Sequence, residues 1–182
     1  EPTLSSGTAA ARRPCAAIIL AAGKSTRMKT DLPKVMHDLC GRPMLAYVLA
    51  ACREAGIGRC YLVVGYGKEA IIEAFSRNEG VAFIEQREQK GTGHAVQMCA
   101  DALRDFAGDL IVIAGDMPLI RSDTLRVLLS SHRASASAAS MATTVLPDPT
   151  GYGRIIRDAA GGFERIVEHR DGNAEQLKIK EV

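Results

Sequence analysis

Cys15-Ala16-Ala17-Ile18-Ile19-Leu20-Ala21-Ala22-Gly23-Lys24-Ser25-Thr26-Arg27-Met28, running on to Leu32-Pro33-Lys34, is the stretch on which the reading of this chain turns. Its first six residues are unbroken apolar and read as a buried strand. The strand gives way to small residues, which let a ligand approach the backbone closely. Lys24, Arg27, Lys29 and Lys34 follow within the same stretch. Exposed backbone N–H groups next to fixed cations make an anion site, so the expected ligand is a nucleotide or another polyphosphate. Two familiar phosphate motifs do not fit. Gly23-Lys24-Ser25 ends like a Walker A loop, but Ile18 stands at the first glycine position. A dinucleotide fingerprint fails as well, because Ser25 and Met28 occupy its second and third glycines. The bland alternative is an ordinary strand-to-helix turn with solvated cations.

Composition narrows the class. A chain of 182 residues, 47% of them hydrophobic, fits one globular domain with a full core. No apolar run reaches the ~18 residues of a membrane helix. The net charge of +2 gives no electrostatic case for nucleic acid or membrane. With 4% aromatic residues and no Trp, stacking platforms for single strands are not expected either. The cysteines are Cys15, Cys40, Cys52, Cys60 and Cys99, an odd number with no C-x-x-C spacing. That argues against a disulfide framework or a zinc site and for thiols in a reducing, cytoplasmic compartment.

Taken in order, residues 1–14 have no hydrophobic period and read as a disordered tail. Gly41-Arg42-Pro43 opens a helix whose apolar face is Met44, Leu45, Val48, Leu49 and Cys52, with Gly56 at its exit. Cys60–Val64 is a second strand, and Gly65-Tyr66-Gly67 a turn. The next helix turns Ile71, Ile72 and Phe75 inward, and Val81–Ile84 is a third strand. A polar loop, Gln86–Thr92, leads into a helix predicted from His94 to about Phe106. Leu110–Ala114 is unbroken apolar and therefore predicted as a central strand. Ser122 is placed as the cap of a helix carrying Leu125, Leu128 and Leu129. A strand is expected around Met141–Val145. After the Asp148–Gly153 loop, Arg154–Arg157 and Phe163–Glu168 form a hairpin. The sum is an α/β fold, a doubly wound, mostly parallel, Rossmann-like sheet followed by a β-rich portion. In such sheets ligands bind beyond the carboxyl ends of the strands. Gly23, Gln86 and Asp116 each follow a predicted strand and are thereby brought to one rim.

Leu20-Ala21-Ala22-Gly23, Thr26-Arg27-Met28 and Leu32-Pro33-Lys34 resemble the signature of the sugar-1-phosphate nucleotidyltransferases. Within that group the chain looks most like the uridyltransferase domain of the bacterial enzymes that also carry a glucosamine-1-phosphate acetyltransferase. The likeness continues in Gln86, Gly91-Thr92-Gly93-His94-Ala95, Gly115-Asp116-Met117-Pro118, Asp148 to Ile155 and Val167-Glu168-His169, and so spans residues 15–182. The resemblance implies a reaction between UTP and N-acetylglucosamine-1-phosphate that gives UDP-N-acetylglucosamine and pyrophosphate, a step in cell wall synthesis. It implies Mg2+ as cofactor with Asp116 as its ligand, and Arg27 and Lys34 as the catalytic cations. It implies substrate contacts from Leu20, Ala21, Ala22, Gly23, Lys34, Gln86, Gly91, Thr92, Ala114, Gly115, Asp116, Gly153 and Glu168. Of these, Gln86 would read uracil, while Gly153 and Glu168 would contact the sugar. His94, at a helix start, is taken as structural, and Lys24 and Lys29 as solvated surface charge.

The chemistry needs no triad. The second pKa of a phosphate ester is about 6, so the nucleophile is already ionised at neutral pH. The obstacle is repulsion: two unit charges ~4 Å apart cost roughly 4 kcal/mol at an effective dielectric of about 20. The site has to supply positive charge and alignment.

Three departures from the family pattern stand out. Ser25 sits where Gly is frequent, and Ala114 where some relatives carry Tyr. The third is at Val182, which falls one position before an Asn that contacts the sugar in relatives, with their second metal carboxylate later still, so the domain is expected to continue beyond these residues. Nothing here points to acetyl transfer, and the resemblance leaves room for a homo-oligomer through segments outside this chain. Two other readings stay open: a related nucleotidyltransferase with a different sugar or base, and a nucleotide-binding module without turnover.

Overall fold

The computed structural model describes residues 13–24 and 28–182. Residues 1–12 of the expected tail and the Ser25–Arg27 segment of the loop lie outside the described residues. Two compact units follow one another in the chain, the first ending at Arg133 and the second running Ala134–Val182.

The first unit is built on the apolar run that opens the sequence. Strand β1, Cys15–Ala21, pairs in parallel with β4, Arg59–Val64, on one side and with β6, Asp109–Ala114, on the other. Strand β5, Val81–Glu85, pairs in parallel with β4 and completes the order β5-β4-β1-β6. Between β1 and β4 lie a short hairpin, β2 (Asp38–Leu39) and β3 (Arg42–Pro43), and helix α1, Met44–Glu54. Helix α2, Lys68–Phe75, joins β4 to β5, and α3, Thr92–Gln97, begins the return to β6. Helix α4, Ser122–Ala134, follows β6. The chain winds outward from β1 to β5 and then crosses back to β6, so the topological switch lies between β1 and β6.

Both faces of β1 are covered, which is why its sequence is continuous apolar rather than alternating. Ala17, Ile19 and Ala21 pack with Leu45, Val48 and Cys52 of α1, Ile71 and Phe75 of α2 and Leu125 of α4. Ala16 and Ile18 pack with Tyr61 and Val63 of β4 and with Ala95 and Cys99 on the other side. All five cysteines are free thiols, three of them buried and Cys40 exposed.

The structure differs from the sequence reading at several elements. The helix expected from His94 to Phe106 stops at Gln97 and continues as turns closed by bonds such as Cys99 N to Val96 O and Phe106 N to Leu103 O. Spacings of three and four residues suit α-helix and successive tight turns alike, so the apolar pattern could not separate them. The expected central strand, β6, is the edge of the described sheet, and Leu110 and Val112 are 44% and 49% exposed. The segment after α3 covers β1 and β4, not β6, and an apolar run alone does not reveal which face is covered. Pro43 does precede α1, but Arg42 and Pro43 also pair with Leu39 and Asp38, a hairpin too short to leave a periodic signal. Ser122 is the first residue of α4 rather than a residue ahead of it. Arg13 and Pro14 are held in place, their carbonyls accepting from Arg133 Nη2 and Asp109 N.

In the second unit the hairpin is present as β7, Arg154–Arg157, and β8, Phe163–Val167, with Gly161 in the left-handed region (φ 82°) at its turn. The strand expected around Met141–Val145 reduces to one antiparallel bridge, Val145 to Glu181, flanked by backbone bonds between Thr144 and Val182. A short helix, α5 (Ala174–Leu177), starts on a capping box formed by Asn173 and Gln176.

Candidate active site

The parallel ladders of the first unit run on for one rung past the strands, and these rungs place the site. Gly115 N donates to Leu20 O at 2.9 Å and Gln86 N to Val64 O at 2.8 Å. Tyr66 N donates to Ala22 O at 3.3 Å. The segments that follow β1, β4, β5 and β6 are thus pinned side by side at the carboxyl edge of the sheet. Gly115 suits this close approach, since a Cβ there would lie 3.1 Å from Leu20 O and 3.2 Å from Val35 Cγ1, tight enough that its neighbours would have to give. Gly65 is equally confined, with Ala22 O 3.0 Å and Gln86 O 3.1 Å from its would-be Cβ.

A cavity of about 710 Å³ opens at this edge, within the range of small-molecule sites. Leu20, Ala21, Ala22, Gly23, Lys34, Gln86, Gly91, Thr92, Ala114 and Asp116 line it, so ten of the residues singled out in the sequence surround one space. Gly115 does not line it but bonds to Leu20, which does. Arg27 lies outside the described residues. Gly153 and Glu168 belong to the second unit, where the structure brings them together: a Cβ on Gly153 would lie 3.8 Å from Glu168 Oε2.

Lys34 Nζ donates to Asp116 Oδ2 at 2.6 Å, and the two side chains are 42% and 31% exposed. A half-exposed pair of this kind is worth about 0–1 kcal/mol, so it holds both groups in place yet opens readily to a stronger partner. Lys34 begins a short 3-10 turn, Lys34–Met36, anchored by buried Val35. Gln86 is buried, and its Nε2 lies 3.1 Å from Gly91 O, to which it donates, and 2.9 Å from His94 Nδ1. With its amide donors turned to the protein, Oε1 is the acceptor left for a ligand. His94 thus braces Gln86. Gly91 has φ 97°, a conformation glycine adopts without strain, at the turn into α3.

Four further residues line the cavity: Met28 and Ala95, which belong to the quoted motifs, and Val35 and Gln89, which the sequence reading does not name. Lys24, read as solvated charge, also lines the cavity, with Nζ 5.0 Å from the Tyr66 ring centroid. A second glutamine in the loop after β5 was the available clue for Gln89, whose Nε2 donates to Ala22 O at 2.8 Å. Among the described residues no group of three or more His, Cys, Asp or Glu gathers around a metal position. A single carboxylate is nevertheless compatible with magnesium, which usually takes one or two carboxylates and completes its shell with substrate phosphates and water.

A doubly wound sheet that offers small residues, a lysine and one carboxylate at its switch point has the surroundings a bound phosphate needs. The chain belongs to the MobA-like NTP transferase family, whose model matches residues 17–171. It is 52% identical over 167 residues to the bifunctional protein GlmU of Geobacter metallireducens, covering 92% of this chain and 35% of that protein. Against the GlmU of Thermobifida fusca it is 46% identical over 177 residues, covering 94% of this chain and 37% of the relative. The chain therefore spans about a third of the length of these relatives. Among solved structures, HddC from Yersinia pseudotuberculosis, complexed with GMP-PN, aligns with a TM-score of 0.67 at 26% identity, over 84% of this chain and 68% of that one. A Bacillus anthracis protein described as a putative glucose-1-phosphate thymidylyltransferase shares the fold, with a TM-score of 0.71 at 15% identity over 92% of this chain and 68% of that one.

Proposed function

We propose that this chain carries the active site of a uridyltransferase that joins UTP to N-acetylglucosamine-1-phosphate, yielding UDP-N-acetylglucosamine and pyrophosphate. The observation that carries the reading is the convergence of Gly23, Lys34, Gln86 and Asp116 on one cavity at the switch point of the sheet. The identity to GlmU proteins and the order of the sequence motifs support the choice of base and sugar.

In this reading the uracil lies against the Gln86–Thr92 loop, with its N3–H donated to Gln86 Oε1. The triphosphate runs along Leu20–Gly23. The sugar phosphate oxygen attacks the α-phosphorus, the new O–P bond forms, the bond to the β-phosphate bridging oxygen breaks, and pyrophosphate leaves. Lys34 exchanges Asp116 for phosphate oxygens and offsets the repulsion between the two anions. Arg27 is assigned to the pyrophosphate end. Asp116 would hold Mg2+, which when bound supplies positive charge to the phosphate oxygens. Gly153 and Glu168 are assigned to the sugar. A cytoplasmic setting follows from the substrates. Among the described residues no helix is long and apolar enough to cross a membrane.

The test is release of pyrophosphate from UTP and Mg2+ with a panel of sugar-1-phosphates. Release with N-acetylglucosamine-1-phosphate well above the others is expected. Preference for another sugar or base would replace the substrate assignment. UTP binding with no release under any combination would make these residues a nucleotide-binding module.

A further inference from the structure

Ala22 follows β1 directly, and its carbonyl is held by two other loops. Tyr66 N, from the turn after β4, donates to it at 3.3 Å, and Gln89 Nε2, from the loop after β5, at 2.8 Å. Gln89 is itself largely exposed and lines the cavity, so its bond is made at the edge of the site and not in the core. The peptide between Ala22 and Gly23 is planar and trans, so its C=O and the following N–H point in opposite directions. Whatever fixes the Ala22 carbonyl therefore fixes the direction of the Gly23 N–H.

We infer that Gln89 is a positioning residue: by holding the Ala22 carbonyl it sets the Gly23 N–H as a donor for an anionic ligand and couples the Gln86–Thr92 loop to the phosphate loop. The inference rests on the nucleotide reading above and extends it. Gln86 and Gln89 then divide the loop's work. Gln86 presents an acceptor to the base, and Gln89 transmits the position of the same loop to the residues facing the phosphates. Lys90, the neighbour of Gln89, is turned instead toward Glu88.

The experiment compares the full chain with Gln89→Ala and Gln89→Glu. Hydrogen–deuterium exchange without nucleotide reads the tie directly, and titration with UTP and with uridine reads its consequence. Both variants should exchange faster over Leu20–Lys24 while keeping the wild-type melting temperature. UTP affinity should fall about tenfold, the scale of one lost hydrogen bond beside a charge, and uridine affinity should stay within about twofold of wild type, since the base contact is untouched. Gln89→Glu adds a signature that a packing role would not give. Its carboxylate cannot donate at pH 8, but near pH 4, just below the ordinary Glu pKa of about 4.3, it is mostly protonated and can, so affinity relative to wild type at the same pH should recover. Unchanged exchange over Leu20–Lys24, or UTP affinity within twofold of wild type in both variants, would overturn the inference and leave the functional reading standing. If the wild-type chain fails to bind UTP, the functional reading falls and takes the nucleotide role of Gln89 with it.

Discussion

Lys34 and Asp116 are 82 positions apart in the chain and 2.6 Å apart in space. Each is the other's counter-ion until a phosphate or a cation offers more, and the modest worth of an exposed pair allows the exchange. Replacing Asp116 by Asn should keep the fold and cut pyrophosphate release by about 100-fold or more, the usual cost of losing a group that faces charge in the transition state. Activity close to wild type at saturating Mg2+ would take Asp116 out of the site. Lys34→Ala should cost a similar factor, whereas Lys29→Ala should stay within about twofold, because Lys29 is exposed and does not line the cavity. Steady-state rates with UTP as the varied substrate separate the two. At this scale the sequence was informative where a residue sat next to a strand end: Gly23, Gln86 and Asp116 could be brought to one rim by topology alone. Gln89 and Lys24 were not legible. Their roles come from contacts with Ala22 and Tyr66, which are distant in sequence.

Turn Gly65-Tyr66-Gly67 does not line the cavity, yet it packs against the residues that do. Gly67 has φ 62°, and a Cβ there would come within 2.5 Å of Pro33 Cγ, next to Lys34. Gly67→Ala should destabilise the protein by about 1–2 kcal/mol from the left-handed backbone alone, and should also weaken UTP binding by moving Pro33 and Lys34. Thermal melts and UTP titration measure the two effects, and a melt without a binding change would limit Gly67 to a structural part. The strands β1, β4 and β5 could be read from short unbroken apolar runs, and helices α1 and α2 from the periodicity of the face each one buries. The ending of α3 and the edge position of β6 could not. The first depends on whether turns tighten, the second on which strands the crossover segment covers, and neither leaves a mark on local composition.

Acid should act on the second unit through Glu181. Bidentate bonding from Arg157, at 2.6 and 2.8 Å, and a bond from Thr143 hold the Glu181 carboxyl down at about 2. A carboxylate whose pKa is lower in the folded than in the unfolded state stabilises the fold above its ordinary value of about 4.3. That contribution is lost as pH falls toward about 2. Asp148, held below its ordinary range by Thr150, acts with the same sign. Amide exchange in peptides from 143–182 should therefore speed up between pH about 5 and about 2 once corrected for intrinsic rates, and Glu181→Gln should flatten that dependence. A wild-type profile that is already flat would assign these bonds no part in stability. The hairpin of this unit was legible from its glycine-separated strands. The pairing of residues 144–146 with 180–182 was not, since one bridge has no period. The most direct measurement for the whole account is a crystal structure of the chain with UTP and Mg2+. The account predicts the base against Gln86 and Gly91, the triphosphate along Leu20–Gly23, and Lys34 moved from Asp116 onto a phosphate. Nucleotide bound away from this edge of the sheet, with the Lys34–Asp116 pair intact, would contradict it.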